Sequence, residues 1–517
     1  MHMTNGAARG SSSSGNILII VVVVLSLFYI VSYFALAGAR IQYPYELAYT
    51  ESANAAEFAQ VSAGKPAYSS PDVHYAPLVY TPLNFYAAKV LRHLNPGPYF
   101  GLRLSAILGT IITSLVIILV SLKARASAWA IIAAVGVFLG AFTRCGFIMD
   151  SGHVDSLALA FSISALALLY EGRRSLPIAA MAGLLAGLGF LTKQTMVAFI
   201  AIPFLWLILQ KEWRRAAVFC FMSMVAIIGL LAWWGMLSNK WFYFFVFGLE
   251  STMHIDIHEL LIDAPIYLVL CLPAGLLIGL FGSSSGVAGW KDVPKRWFLD
   301  PWAVTLFLYA GASLIAKAKD GGGENVFLPV VALGAVQIGR YLSRLAVDRP
   351  RQIPALIIVQ LLVLFYPPTL LWPVQADLDA GDRLVEQIRK INGDVYIPAF
   401  PEYAVRAGKP WFVHYTVSCG RLDFHNALRD ELAGMVRAQK FGAIIPRQDI
   451  EKQDRGVCEV PLLEEFYEPV EDVIMPPRPS AREILLGRPS LSGVAHGGKF
   501  TKIYVPKKTA PKNLVSP

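Results

Sequence analysis

Charge is what this sequence has least of. Of its 517 residues only 16% are Asp, Glu, Lys or Arg, while 55% are hydrophobic. A soluble domain carries about 25% charged residues, because water must solvate its surface. The deficit excludes a string of ordinary soluble domains and makes lipid the solvent for most of the surface. Cysteine is scarce too: there are five, none in a Cys-x-x-Cys pair, so a zinc or dithiol motif of that kind is excluded. Cys145, Cys220 and Cys271 fall in or beside apolar runs and read as small buried side chains. Cys419 and Cys458 lie in a more polar C-terminal region, where an oxidising compartment would permit a disulfide. No internal repeat is visible, which counts against an inverted-repeat transporter. The net charge of +9 does not imply a nucleic-acid partner, because the Lys and Arg residues cluster in short gaps between apolar runs.

What is there in abundance is membrane-length apolar sequence. Eleven runs read as crossing helices: 16–38, 101–122, 127–145, 154–170, 176–192, 195–210, 216–237, 265–282, 301–317, 326–343 and 354–372. The first competes with a secretory signal, since Ala35-Leu36-Ala37 resembles a cleavage site. Its length, and a single preceding basic residue at Arg9, favour an uncleaved helix. Alternate gaps are basic: Lys123 and Arg125; Arg173 and Arg174; Lys211, Arg214 and Arg215; Lys291, Lys295 and Arg296; Arg344, Arg349 and Arg351. Five such gaps in succession orient the chain with its N-terminus inside and its C-terminus outside a bacterial inner membrane.

The expected architecture is therefore an α-helical polytopic membrane protein with a small C-terminal α/β domain outside the cytoplasm. Residues 1–15 form a disordered cytoplasmic N-terminus, and 16–372 the membrane domain, with outer loops at 40–100 and 238–264. Residues 373–505 read as helix (Asp379 to Ile391), strand (Asp394 to Pro398), helix (Ala427 to Gln439) and strand (Gly442 to Ile445), and 506–517 as a flexible tail.

Several charges break the topology rule. Arg103, Arg144, Lys193, Lys317 and Lys319 all fall at the outer ends of apolar runs. Taken singly, each suits a snorkelling interface residue. Together they ring one membrane face and suit a lipid phosphate. Acids share that level: Glu46, Glu51, Asp150 and Asp155. Asp155 enters an apolar run, where an ionisable group costs a few kcal/mol and marks a functional candidate. The competing reading makes it a helix-terminal carboxylate satisfied by backbone donors. An acid beside a phosphate-binding ring suits general-base activation of a hydroxyl that attacks a lipid-phosphate-linked sugar.

These residues carry a family resemblance. Tyr45-Glu46-Leu47-Ala48-Tyr49-Thr50-Glu51, then Gly64-Lys65-Pro66-Ala67-Tyr68, resembles the first outer loop of membrane glycosyltransferases of the GT-C fold. That group includes the protein mannosyltransferases and the aminoarabinose transferase of lipid A. Tyr80-Thr81-Pro82-Leu83, Gly101 to Ser105, Asp155, Gly183 to Lys193 and Lys319 to Pro329 continue the pattern in order. The resemblance implies inverting transfer of a sugar from a polyprenyl-phosphate donor to a lipid, glycan or protein acceptor at the outer face. It makes Glu46 the general base, with Glu51 second, and lets Asp155 orient the acceptor or bind metal. It assigns Arg103, Arg144, Lys193, Lys319 and Asn325 to the donor phosphate, and Tyr80 and Pro82 to a substrate loop. The sequence departs from the family's pattern in having Tyr45 before Glu46, where an Asp or an Asp-Glu pair is usual.

His254, Asp256 and His258 form a His-x-Asp-x-His cluster whose spacing suits one side of a strand. Such ligands would take zinc or another divalent ion; the plainer reading is an interfacial segment with incidental histidines. His74, His414 and His425 belong to no legible constellation. A lipid-linked glycan transporter and an oligosaccharide ligase using a lipid pyrophosphate donor stand as alternative functions.

Overall fold

A computed structural model describes residues 13–48, 50–282, 299–418, 423–446, 460, 462–471 and 502–508. The N-terminus through Ser12, the basic cluster Lys291, Lys295 and Arg296, both Cys419 and Cys458, the side chain of His425 and the tail beyond Lys508 lie outside the described residues.

All eleven apolar runs are helical, as an apolar solvent demands of a backbone that must satisfy its own N–H and C=O groups. Among the described residues five helices are long and apolar enough to cross a membrane: Gly15–Arg40, Phe100–Lys123, Trp213–Trp233, Glu324–Asp348 and Gln352–Leu370. The expected run at 265–282 is broken instead. Glu259–Cys271 and Pro273–Phe281 meet at 86° and make a sixth crossing only if taken as one span. Pro273 stops the incoming helix. Gln360 then replaces the lost ladder, donating to Cys271 O (2.6 Å) and accepting from Ala274 N (3.0 Å). Shorter apolar helices fill other runs, among them Ala128–Gly140 and Leu176–Thr192. Eleven full crossings are thus more than length and composition support.

The helices that matter for the site are α1 (Ser13–Arg40), α2 (Glu51–Ser62), α3 (Leu83–Leu91), α4 (Phe100–Lys123), α5 (Ala128–Gly140), α6 (Asp155–Glu171), α7 (Leu176–Thr192), α8 (Ala198–Leu209) and α9 (Trp213–Trp233). They pack in sequence, α4 on α6, α6 on α7, α7 on α9, with α1 against α5. Small residues let the backbones approach. A Cβ on Gly109 would lie 2.4 Å from the carbonyl of Ser156, and one on Gly189 2.4 Å from Ser162 Oγ. Any larger residue at either place would push α6 away from α4 or α7.

Polar networks mark both ends of this bundle. At the end where α6 closes, Trp302 Nε1 donates to Glu171 Oε1 (3.0 Å), and Lys123 lies 3.8 Å from the same carboxylate. Next to Trp302, Asp300 caps the helix Pro301–Lys317 and accepts from Arg340 Nη1 (2.7 and 2.8 Å) and Tyr341 Oη (2.8 Å). At the end where α6 opens, the ionisable residues of the long loop between α1 and α4 collect.

The C-terminal region carries a four-stranded sheet in the order β1-β2-β4-β3, with β1 (Asp394–Tyr396) parallel to β2 (Phe441–Ile444). β4 (Ile503–Pro506) runs antiparallel to both β2 and β3 (Tyr467–Glu471). Helices Gln375–Lys390 and Asp423–Arg437 precede β1 and β2, close to the expected elements. Two apolar cores form here, and each takes residues from the long loop that follows α1: Tyr43, Tyr45 and Leu47 in one, Val73 in the other. Val413 N donates to Val73 O at 2.9 Å, and His74 Nδ1 lies 2.9 Å from Trp411 O.

Candidate active site

The loop between α1 and α4 is organised around Arg103, fully buried in the first turn of α4. Its Nε and Nη2 reach the two oxygens of Glu51, both at 2.8 Å. Nη2 also donates to Tyr45 O (2.6 Å), and Nη1 to Arg40 O (3.2 Å) and to Tyr43 O. A guanidinium has five N–H donors, and all five are engaged. Arg103 therefore has none to offer a donor phosphate; it anchors the loop.

Glu51 is equally occupied, for it also accepts from Leu47 N (2.7 Å) and Gly152 N (2.6 Å). Burial opposes its ionisation, but the Arg103 charge and these donors outweigh that and hold the carboxyl below its ordinary range. It has no oxygen unengaged for a substrate proton. Glu46 is just as buried, at the mouth of α2, where it accepts from Ser52 N (3.0 Å) and Ser52 Oγ (3.1 Å). Burial pushes its carboxyl well above the usual range, against those Ser52 bonds. A second buried ion pair, Arg40 with Asp150 (3.0 Å), braces the same end of the bundle.

The second centre is Asp155, the first residue of α6 and 2% exposed. Its Oδ1 receives Lys193 Nζ at 2.6 Å and Asn325 Nδ2 at 3.0 Å. Its Oδ2 is buried and has no hydrogen-bond partner. Asp155 thus reaches across to other elements instead of closing on its own helix N-terminus. Lys193 can meet it because α7 stops there: the residue turns extended (φ −152°) before the short helical turn Gln194–Val197. Asn325 comes from the turn Glu324–Phe327, which leads into the helix Leu328–Asp348. Tyr80 completes the group, its ring centre 5.6 Å from Lys193 Nζ.

Four separate ties fix the segment bearing Tyr80. Leu78 N donates to Glu57 Oε2 (2.9 Å), and Val79 O accepts from Gln194 Nε2 (2.7 Å). Tyr80 O accepts from Tyr68 Oη, and Thr81 Oγ1 donates to Phe190 O (2.8 Å). Pro82 ends this segment and leads into α3. Residues 80, 155, 193 and 325, remote in sequence, are therefore brought to one place.

Arg144 donates through Nη2 to Val363 O (2.9 Å). Lys319 pairs its backbone with Ile255, alongside Asp256 N to Ala318 O (2.8 Å). The His-x-Asp-x-His cluster does not close around a common point. Asp256 Oδ1 caps the next helix through His258 N (2.8 Å) and Glu259 N (3.1 Å), and His258 Nδ1 lies 3.0 Å from Asp263. No group of three such side chains with metal-binding geometry occurs among the described residues.

Sequence reasoning missed Glu57, a buried carboxylate with Oε1 unpartnered, because it lies within an ordinary helical stretch. It also missed the clasp on Tyr45. That ring stacks on Tyr403 (5.0 Å, 5°), lies 5.3 Å from Arg406, and its hydroxyl donates to Asp382 Oδ1 (2.5 Å).

No protein-family profile matches the sequence, and no curated protein does. Solved structures do match. ArnT from Cupriavidus metallidurans in its apo state superposes with a TM-score of 0.56 at 12% identity, over 82% of this chain and 93% of that one. The same protein bound to undecaprenyl phosphate gives 0.55 at 12% identity, over 98% and 100%. The chain has the GT-C fold. At so low an identity the likeness is one of architecture.

Proposed function

We propose that this chain is an inverting membrane glycosyltransferase that moves a sugar from a polyprenyl-phosphate donor to an acceptor hydroxyl at the outer face of the inner membrane. The observation that carries the reading is Asp155: a buried carboxylate with one oxygen unpartnered, gathered with Lys193, Asn325 and Tyr80 in a GT-C fold. The ArnT structure that holds undecaprenyl phosphate supports a lipid phosphate as the donor's carrier.

The chemistry assigns each group one task. The acceptor oxygen attacks the anomeric carbon from the side opposite the phosphate, and the carbon–oxygen bond to phosphate breaks. Asp155 Oδ2 takes the acceptor's proton as the new bond forms. Lys193 stabilises the negative charge that develops on the departing phosphate, in a site with little water to screen it. Asn325 holds the carboxylate in aim. Glu46 and Glu51, the acids that the family resemblance favours, serve here as positioning groups for the first outer loop, because Ser52 and Arg103 occupy them. The sugar is left to experiment, as is the acceptor, whether lipid, glycan or protein.

Transfer from a panel of radiolabelled polyprenyl-phosphate sugars tests this in membranes with matched expression of wild type, Glu46→Gln, Glu51→Gln and Asp155→Asn. Consumption of one donor by wild type, abolished in Asp155→Asn, is the expected result. Full activity in Asp155→Asn, or no donor consumed by wild type, would bring lipid transport or glycan ligation forward.

A further inference from the structure

Lys193 is not idle in the resting protein. Its ammonium has three N–H donors, and Asp155 is its one hydrogen-bond partner among the described residues, at 2.6 Å. The remaining two N–H bonds have no protein acceptor, and the Tyr80 ring stands 5.6 Å away. Asp155 for its part has a second, neutral hold from Asn325 on the same oxygen (3.0 Å). Losing Lys193 would leave the carboxylate aimed by Asn325 but no longer compensated by a cation. The pair is also tight enough to matter: both side chains are more than nine-tenths buried, so water screens their attraction little.

We infer that Asp155 and Lys193 form a latch operated by the donor's phosphate, so that the lipid donor must enter before the acid can act on an acceptor. The inference rests on the transferase reading above. A phosphate oxygen that enters beside Lys193 takes the two unused N–H bonds and competes with Asp155 for the ammonium charge. An ammonium against a carboxylate stabilises the charged form and disfavours proton uptake. Drawing the ammonium toward phosphate therefore leaves the carboxylate less compensated, at the moment when a sugar is present to receive the hydroxyl. Without donor the acid stays compensated, and neither water nor acceptor is activated to no purpose. No bond is made or broken in this step; one ion pair is exchanged for another.

A latch makes an unusual prediction, because removing the acid should improve binding of the phosphate. The probe is radiolabelled undecaprenyl phosphate, which lacks the sugar, bound to the full chain in lipid nanodiscs. Asp155→Asn is expected to bind it about tenfold more tightly than wild type, the size of one charge-assisted hydrogen bond released from competition. Lys193→Gln is expected to bind it at least tenfold more weakly, and Lys193→Arg to stay near wild type. Asp155→Ser, which removes the same charge by a different side chain, guards against a folding defect in the first variant and should move in the same direction. Unchanged or weaker binding in folded Asp155→Asn or Asp155→Ser would overturn the latch, even if wild type transfers sugar as proposed. Failure of the transferase reading would appear separately, as absence of transfer from any donor.

Discussion

Asp155 and Asp300 are both buried carboxylates at the start of helices, and α6 runs between their neighbourhoods. Asp155 opens α6; Glu171 closes it and accepts from Trp302, two residues after Asp300. Seventeen residues of helix separate the two ends, about 25 Å. The difference lies in how completely each acid is satisfied. Asp300 has Arg340 on both oxygens, Tyr341 on one, and the backbone of Trp302 as well. Asp155 has two donors crowded onto one oxygen and nothing on the other. A buried acid that serves only the fold is saturated, since an unmet oxygen costs stability. A buried acid left half open retains room for a substrate.

The contrast is tested first by paired amides. Asp155→Asn should lower transfer by about 10²- to 10⁴-fold, the usual worth of a general base, with thermal unfolding in detergent little changed. Asp300→Asn should do the reverse, costing about 3–5 kcal/mol by stranding Arg340, with transfer per folded molecule retained. Equal behaviour of the two variants in both assays would erase the distinction. Arg103→Lys comes next, because one ammonium cannot replace a five-donor fork. A loss of about 3 kcal/mol is expected, read as protease cleavage between Arg40 and Glu51 under conditions where wild type is intact. Tyr45→Phe should cost about 1 kcal/mol by removing the bond to Asp382, seen as a small fall in unfolding temperature.

The gentlest test uses pH. Burial raises the Glu402 carboxyl to about 7, against the pull of Arg406, from an ordinary value of 4.5. The folded protein then binds more protons than the unfolded chain between those values, so this group's contribution to stability falls as pH rises through that window. Glu402→Gln should flatten that part of the stability curve, measured by unfolding temperature from about pH 4.5 to 7.

Asp155 and Lys193 stood out in the sequence as charges at the edge of apolar runs, and Asn325 and Tyr80 only through the GT-C resemblance; that the four meet was not legible. Period and hydropathy likewise announced the helices on both sides of the sheet. What one sequence could not show was pairing. Arg103 and Glu51 looked like a phosphate ligand and a base because nothing local reveals that, 52 positions apart, they neutralise each other. Asp382 and Glu57 broke no rule at all, and their importance exists only in three dimensions. The His-x-Asp-x-His spacing misled for a related reason: His254 to Asp256 is extended, but Asp256 turns to cap a helix and carries His258 away from the strand.

The clasp on Tyr45 sets a timetable for the molecule. The hydroxyl of Tyr45 meets a partner made 337 residues later, and the core around Tyr43 and Leu47 is filled by residues as late as Ile503. During synthesis at roughly 5–20 residues per second, α1 enters the membrane long before the pieces that seat its outer loop exist. The loop bearing Glu46 and Glu51 thus stays unfinished until those late residues have been made. A chain cut short before Asp382 would keep its first apolar helix and leave Tyr45 without its seat.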